Sequence, residues 1–257
     1  MLIKLSDLVK KYNMQITGVS HFGAHLGQEV LTYKELSIRN IHLFEPQKDI
    51  FNDLVKKFSN DNDVNLYNIG LGSENKTTNI NLSPGNDGQS ASILDPEKHK
   101  AFYPDIEFYG KEQIELRIYD DLAIEGVNFF NIDIQGYELH ALNGSLETLR
   151  NDIEYIFIEV SRKELYEGSA LVQDLDEFLE KLNFIRVETK WVSYRIPWGD
   201  ALYIKRDKAS RVSISLLKLR KFIEGYFLYY LITDLIRKLK KLKYNIKQTI
   251  KGLIIKK

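Results

Sequence analysis

Residues 16–29, with the sequence ITGVSHFGAHLGQE, constrain the fold of this 257-residue chain more than any other segment. A short apolar run ends at Gly23, and a helix-like pattern follows over 28–36. Strand, glycine turn and helix in this order are typical of the opening unit of a nucleotide-binding α/β domain. Gly23 permits a tight turn, while Gly27 lets a ligand or the sheet approach the first helical turn. Free N–H groups at that helix start favour an anionic group, although an ordinary strand-to-helix turn has the same pattern.

Glu45, Asp133 and Glu159 each stand at the carboxyl end of a short apolar run. In an open parallel sheet, ligands bind at the carboxyl ends of the strands, so these acids would face one crevice. Glu45 follows the glycine turn by about 20 residues, the spacing at which a carboxylate binds ribose hydroxyls. The alternatives are that Glu45 is only a strand end and that Asp133 caps a helix.

Apolar runs of strand length alternate with helical patterns along most of the chain. This alternation predicts an α/β fold with a doubly wound, mostly parallel, Rossmann-like sheet. The last two predicted strands, 184–191 and 200–204, indicate an antiparallel pair around a Pro-Trp-Gly loop. Alternating polar and apolar residues over 77–82 predict an antiparallel or edge strand. Residues 1–15 predict a short amphipathic helix that packs on the domain.

The segment 83–113 is long and polar between predicted strands. A loop of this length inside a compact domain is usually functional or mobile. Its aromatic side chains would either line an acceptor pocket or pin the loop to the core. They are Phe102, Tyr103, Phe108 and Tyr109.

The net charge of zero hides an asymmetry along the chain. Residues 208–257 carry fourteen Lys and Arg against two acids, which leaves 22 basic and 34 acidic residues in 1–207. The sequence therefore predicts an acidic domain over 1–207 and a basic tail over 208–257. The absence of cysteine excludes disulfides, thiolate metal sites and a cysteine nucleophile, and it fits a reducing compartment. No tight spacing of acids and histidines predicts a metal site.

Apolar residues recur in the tail mostly at steps of three and four, from Val212 to Leu253, which predicts helices with one apolar stripe. No run in the chain approaches the roughly 18 apolar residues of a membrane span. A basic amphipathic helix instead fits an anionic membrane surface. We therefore expect a cytoplasmic protein that is peripheral at the membrane. The alternatives are that the tail docks on the acidic domain or forms an oligomer contact. Nucleic acid ranks lowest as a partner because the tail has no recognised binding motif.

Three blocks of the sequence resemble motifs of the FkbM-type family of S-adenosylmethionine-dependent methyltransferases. The segment 21–29, HFGAHLGQE, resembles the family's first motif, D-x-G-A-N-x-G-Q, and 43–46, LFEP, resembles its acidic second-strand end. The segment 131–144, NIDIQGYELHALNG, resembles the K-x-D-x-E/Q-G-x-E-x-x-x-L-x-G block and is the most specific of the three. The resemblance spans roughly 16–205 and implies a methyltransferase domain.

The resemblance implies a role for individual residues in holding the cofactor, S-adenosylmethionine. The implied cofactor-binding residues are His21, Gly23, His25, Gly27, Glu45 and Asn68. The two glycines and His25 would contact the methionine moiety, Glu45 would bind the ribose hydroxyls, and Asn68 with the turn after it would flank the adenine. His21 replaces the family's aspartate and His25 its asparagine. A neutral histidine can still hydrogen-bond the cofactor, but residue 21 then supplies no negative charge for its ammonium group.

The same resemblance favours an O-methyltransferase whose acceptor is a hydroxyl of a sugar, glycan or secondary metabolite. Such an acceptor must lose its proton during or after attack. Asp133, near the sulfonium and the acceptor, is the first candidate base, Glu159 the second and His25 the third.

Two other functions are compatible with a sheet of this kind. A nicotinamide-dependent oxidoreductase would need a G-x-G-x-x-G turn, which residues 23–27 do not match. A catalytically silent binding module, associated with a membrane or a partner protein through the basic tail, is the alternative from a different class.

Overall fold

The computed structural model describes residues 2–83, 87–193 and 195–209, together with Leu235 and Leu239. The helices of the domain are α1 (Leu5–Tyr12), α2 (Val30–Glu35), α3 (Lys48–Phe58), α4 (Glu138–Asn143), α5 (Leu146–Asn151) and α6 (Val172–Lys181). The strands are β1 (Gly18–Phe22), β2 (Asn40–Phe44), β3 (Val64–Tyr67), β4 (Gly70–Leu71), β5 (Lys76–Asn81), β6 (Lys111–Arg117), β7 (Phe129–Ile132), β8 (Tyr155–Ser161), β9 (Phe184–Trp191) and β10 (Trp198–Lys205).

Seven strands form one sheet in the order β3-β2-β1-β7-β8-β10-β9. Neighbouring strands from β3 to β8 pair in parallel, whereas β10 pairs antiparallel with both β8 and β9. Every residue of β1 and β7 is buried, as expected for the central strands of a sheet that is covered on both faces. The sheet confirms the predicted doubly wound, mostly parallel fold with a C-terminal antiparallel pair.

Consecutive side chains of the central strands enter two separate cores because side chains alternate between the faces of a sheet. Phe129 packs in a cluster with residues of α1, α2 and α3, while Phe130 packs in another with residues of α4, α5 and α6. Helices therefore cover both faces of the sheet. Leu5 and Leu8 of α1 are buried in the first cluster, which confirms the predicted N-terminal helix.

Residues 64–71 divide between two sheets. β3 pairs with β2 in the main sheet, and β4 pairs with β6 in a three-stranded sheet of order β4-β6-β5. Between them, the Asn68 side-chain amide donates to the backbone oxygens of Glu45 at 3.0 Å and Pro46 at 3.1 Å, which fixes the bend after β3. β5 pairs antiparallel with β6 at the edge of the second sheet, as predicted.

The segment after Gly136 forms two short helices, α4 and α5. At Gly144, between them, a Cβ atom would lie 2.0 Å from the Gly72 carbonyl oxygen, so the two backbones are in direct contact. α2 likewise begins later than predicted, because the preceding turn holds two residues with left-handed backbone. These residues are His25, with φ 48°, and Gly27, with φ 67°. Left-handed residues interrupt a right-handed helix.

The predicted basic tail over 208–257 lies outside the described residues, apart from Lys208, Ala209, Leu235 and Leu239. Leu235 and Leu239 are helical, and their exposed fractions are 58% and 56%. Within the part of the chain that the structure describes, no helix is both long enough and apolar enough to cross a membrane.

Candidate active site

A cavity of about 540 Å³ lies at the carboxyl ends of β1, β2 and β7. Its other walls come from β8, from β10 and from residues 88–106 of the long loop. This volume falls within the range of roughly 300–1,000 Å³ that is typical of small-molecule and cofactor sites. Six of the predicted site residues line it, namely His21, Gly23, His25, Glu45, Asp133 and Glu159.

The turn after β1 brings two strand ends into contact at Gly23. The backbone N–H groups of Gly23 and Ala24 both donate to the Phe44 carbonyl oxygen, at 3.0 and 2.9 Å. Gly23 has φ 79°, and a Cβ atom there would lie 2.1 Å from the Asp133 carbonyl oxygen. Glycine is therefore required for the ends of β1, β2 and β7 to meet at one edge of the cavity.

Glu45 and His25 tie the turn after β1 to the end of β2 and to the long loop. The Glu45 carboxylate accepts hydrogen bonds from the backbone N–H groups of His25 at 3.0 Å and Gln47 at 2.8 Å. Burial raises the pKa of Glu45. The His25 ring accepts from the Gln28 side-chain amide at Nδ1, so Nε2 carries the proton and donates to the Asp87 carbonyl oxygen at 2.7 Å.

His21 occupies the cavity wall as a neutral imidazole. Its exposed fraction is 3%, and burial lowers its pKa. Nδ1 of His21 lies 3.1 Å from the Tyr33 hydroxyl, which also accepts a hydrogen bond from the Asn131 side-chain amide at 2.5 Å. The Asn131 Oδ1 atom is buried and has no hydrogen-bond partner among the described residues. His21 is thus oriented by Tyr33 rather than by an acid.

Asp133 follows β7 and is held by the turn that comes after it. The Gln135 side-chain amide donates to Asp133 Oδ1 at 2.7 Å, while Glu138 accepts from the backbone N–H groups of Ile134 and Gly136 at 3.2 and 3.0 Å. Burial raises the pKa of Asp133 and raises that of Glu138 to about 7, with the Asp133 charge as a further cause for Glu138. The turn therefore presents a carboxyl group of raised proton affinity to the cavity.

Glu159 and Asp200 lie opposite each other on the antiparallel strands β8 and β10, and both line the cavity. The Asp200 carboxylate accepts from the backbone N–H groups of Leu2 and Ile3. No described residue donates a hydrogen bond to the Glu159 carboxylate or forms an ion pair with it. Burial, together with the negative charges of Asp133, Glu138 and Asp200, raises the pKa of Glu159 well above its ordinary value.

The long loop forms the remaining wall and is fixed to β10. The Trp198 indole N–H donates to the Tyr103 hydroxyl at 2.6 Å. His99 stacks on Tyr103 at a ring-centroid distance of 5.0 Å and contacts Phe108 edge-on at 5.3 Å. Burial lowers the pKa of His99 to about 4, and its buried Nδ1 atom lacks a hydrogen-bond partner among the described residues. Of the four predicted loop aromatics, only Tyr103 lines the cavity, whereas Tyr109 is exposed.

Two predicted cofactor-binding residues, Gly27 and Asn68, are not among those that line the cavity. A Cβ atom at Gly27 would lie 2.5 Å from the Phe58 ring, so this glycine allows α3 to pack against the turn. Asn68 instead positions the backbone of Glu45 and Pro46, while the turn after it, residues 69–71, does line the cavity.

Several residues that line the cavity were not predicted from the sequence, notably Gln135, Asp200 and His99. Gln135 lies in the block 131–144 that carries the family resemblance, so its place in that motif was a usable signal, whereas Asp200 only begins the predicted strand 200–204. His99 is a single histidine in a polar loop, and nothing in the pattern around it indicates a site.

The side chains that line the cavity can hydrogen-bond a polar ligand and can accept a proton. No group of three histidines or acids within the described residues is arranged to hold a metal ion. Glu159 lacks a partner among the described residues and has a raised pKa, so it is a candidate to accept a proton.

Residues 21–186 match the family model described as the methyltransferase FkbM domain. Comparison with curated proteins finds no match. Among solved structures, the chain is similar to the methyltransferase FkbM from Methylobacillus flagellatus KT, with 16% identity and a TM-score of 0.50. That similarity covers 73% of this chain but only 43% of the Methylobacillus chain, so this chain spans less than half of that relative.

Two further structures show similarity at lower TM-scores. The Streptococcus pneumoniae methyltransferase Sp1610, in complex with S-adenosyl-L-methionine, is 14% identical with a TM-score of 0.45, over 95% of this chain and 91% of that one. A SAM-dependent methyltransferase from Aquifex aeolicus is 12% identical with a TM-score of 0.41, over 78% of this chain and 88% of that one.

Proposed function

Because the chain belongs to the FkbM methyltransferase family, whose cofactor is S-adenosylmethionine, we propose that it methylates a hydroxyl of a sugar, glycan or secondary metabolite. The observation that carries the proposal is the cavity at the carboxyl ends of β1, β2 and β7, where a doubly wound sheet binds its ligands. The motif residues His21, Glu45 and Asp133 line this one cavity although they are far apart in the sequence.

The negative charge of the residues that line the cavity suits S-adenosylmethionine. The lining carboxylates are Glu29, Glu45, Asp133, Glu159 and Asp200, and no Lys or Arg is among the described residues that line the cavity. A ligand with a sulfonium and an ammonium group suits such a surface, because each cation lowers the repulsion between the carboxylates. The change from the family's aspartate to His21 therefore leaves ample negative charge for the ammonium group.

Different residues of the chain would bind different parts of the cofactor. Glu45 keeps lone pairs for ribose hydroxyls after it has accepted two backbone N–H groups, because a carboxylate accepts about four hydrogen bonds. His21 offers a neutral ring nitrogen at the end of β1. Residues 69–71 supply an apolar wall for a planar ring.

When bound, the cofactor supplies an electrophilic methyl group on sulfur, which an acceptor oxygen displaces in line. The protein must orient the acceptor and take its proton. We assign the second task to Glu159, which lines the cavity, lacks a partner among the described residues and has a raised pKa. Asp133 is the other candidate base, and its carboxylate is already engaged by Gln135.

The proposal is tested by following a labelled methyl group from S-adenosylmethionine into a mixture of polar metabolites and glycans. We expect label in a product that withstands mild base, as a methyl ether does and a methyl ester does not. With the acceptor in hand, Glu159→Gln and Asp133→Asn are compared at saturating substrate. Loss of the base should lower turnover about 10²- to 10⁴-fold. Absence of any labelled product would contradict methyl transfer.

We also propose that the chain consists of a methyltransferase domain over 1–207 and a basic amphipathic tail over 208–257 that binds an anionic membrane surface. Leu235 and Leu239 support this part of the proposal, because both are helical and exposed and are four positions apart in the predicted apolar stripe. Exposed leucines in a basic amphipathic sequence suit a membrane interface.

A further inference from the structure

Glu159 and Asp200 form an unusual like-charge pair inside the cavity. They are direct partners in the antiparallel register of β8 and β10, so their side chains are neighbours on one face of the sheet. Like charges in this arrangement destabilise a sheet. Two backbone N–H groups offset the charge of Asp200, but no described residue offsets that of Glu159. A cation bound between the two carboxylates would relieve this repulsion.

A second observation concerns the same end of the cavity, where aromatic rings form part of the wall. His99 has an exposed fraction of 4% and its Nδ1 atom is itself buried, so the ring supports the wall and is not a hydrogen-bond partner for a ligand. Tyr103 stacks on His99 and is hydrogen-bonded to Trp198, and all three rings line the cavity.

This end of the cavity is distinct from the cofactor end. Glu45 and His21 lie at the ends of β2 and β1, whereas Glu159 and Asp200 lie on β8 and β10, on the other side of β7 in the sheet order. A cofactor held at β1 and β2 would leave the β8 and β10 side for the acceptor. Asp133, at the end of β7, lies between the two ends.

We propose that the acceptor carries a protonated amine, which binds between the carboxylates of Glu159 and Asp200 and against the rings of Tyr103 and Trp198. An ammonium group can donate three hydrogen bonds, and it is attracted to aromatic faces. An acceptor with a phosphate or carboxylate at this position is rejected, because the described lining has no Lys or Arg to pair with it. The inference rests on the proposed function, since it takes this cavity as the site of methyl transfer. With the ammonium group on Glu159, the removal of the hydroxyl proton passes to Asp133, the other candidate base.

The test uses three methyl glycosides of one sugar skeleton that differ in charge. They are those of glucosamine, glucose and glucuronic acid, which carry one positive charge, no charge and one negative charge at neutral pH. Each is titrated by calorimetry into the full chain loaded with S-adenosylhomocysteine, which prevents turnover. We expect the glucosaminide to bind about tenfold more tightly than the glucoside, because the free energy of about one charge-assisted hydrogen bond changes the dissociation constant by that factor. The glucuronide should bind most weakly.

Two variants locate the preference. Glu159→Gln and Asp200→Asn each remove one charge while retaining size, so each should reduce the preference for the glucosaminide over the glucoside. Affinity for S-adenosylhomocysteine, which would bind at the other end of the cavity, should stay close to that of the wild type. Circular dichroism melting curves check that both variants are folded.

The inference is overturned if the three glycosides bind equally, if the glucuronide binds most tightly or if the glucosaminide does not bind. It is also overturned if both variants keep the preference for the glucosaminide. In each of these cases, the proposed function stands if the same preparation binds S-adenosylmethionine. If it does not bind S-adenosylmethionine, the proposed function fails, and the inference fails with it.

Discussion

At the scale of single residues, Glu45 links the cavity to the turn that shapes it. Its carboxylate accepts two backbone N–H groups, from His25 and Gln47, and still faces the cavity. We expect Glu45→Ala to weaken S-adenosylmethionine binding by about 1.5–3 kcal/mol, because a charge-assisted hydrogen bond to a ribose hydroxyl is lost.

Calorimetry of Glu45→Ala beside Glu35→Ala measures this effect. Glu35 ends α2, is exposed and does not line the cavity, so the same chemical change there should leave the dissociation constant unchanged. An unaltered dissociation constant in Glu45→Ala would remove Glu45 from the cofactor site.

The raised pKa of Glu159 predicts that its ionised carboxylate destabilises the folded chain. Burial and three neighbouring carboxylates raise its pKa in the folded chain above the unfolded value. The folded state therefore holds this proton more tightly, so stability is greatest below the unfolded pKa and falls as pH rises through the folded pKa. Glu159→Gln cannot lose a proton and should be more stable than the wild type at pH 8, with a difference that shrinks toward pH 4.

Urea unfolding of both proteins across this pH range checks the prediction. Glu177→Gln is the control, because Glu177 lies on the exposed side of α6, and its free energy of unfolding should follow that of the wild type at every pH. A Glu159→Gln variant that is less stable than the wild type at pH 8 would mean that the carboxylate has a stabilising partner.

At the scale of elements, the junction of β1, β2 and β7 depends on Gly23. Gly23 and Gly168 have similar backbones, with φ 79° and 75°, but only Gly23 is crowded, since a Cβ atom at Gly168 would meet nothing within 4 Å. Gly168→Ala should therefore cost only the left-handed strain of about 1–2 kcal/mol. Gly23→Ala should destabilise by about 4 kcal/mol or more, because its Cβ would collide with the Asp133 carbonyl.

Chemical denaturation of the two variants separates backbone strain from crowding. Equal loss of stability in Gly23→Ala and Gly168→Ala would contradict the close packing of the β1 and β7 ends. A larger loss at Gly23 is the expected outcome, with weaker S-adenosylmethionine binding as a second consequence.

The elements that the sequence predicted well include the mostly apolar strands β7 and β8 and the C-terminal pair β9 and β10. The structure departs from the sequence pattern where a single tertiary contact determines the path of the backbone. Asn68 bends the chain between β3 and β4, and the contact of Gly144 with Gly72 separates α4 from α5. Neither contact leaves a periodic signal in the sequence, because its partner is distant along the chain.

In the site, too, residues were predictable where the signal is local in the sequence and not where it depends on distant contacts. Glu45, Asp133 and Glu159 could be predicted because each follows or ends an apolar run, and strand ends of a parallel sheet share one edge. Asp200 reaches the cavity only through the antiparallel register of β10 with β8, and His99 only through the path of the long loop. Those two depend on the assembled fold.

At the scale of the whole molecule, the charge asymmetry between 1–207 and 208–257 predicts membrane attachment through the tail. We expect the full chain to float with anionic vesicles at low salt and to float less with zwitterionic ones. A chain truncated after Ala209 keeps the ion pair of Lys208 with Glu154 and should not float. Equal behaviour of the two chains would instead assign the tail to packing or oligomer contacts.

The central claim is that the cavity at the ends of β1, β2 and β7 binds S-adenosylmethionine. Calorimetric titration of the full chain with S-adenosylmethionine, beside a parallel titration with a nicotinamide dinucleotide, tests it most directly. We predict binding of one S-adenosylmethionine per chain and no binding of the dinucleotide. A folded chain that does not bind S-adenosylmethionine, or that binds the dinucleotide in its place, would contradict the account.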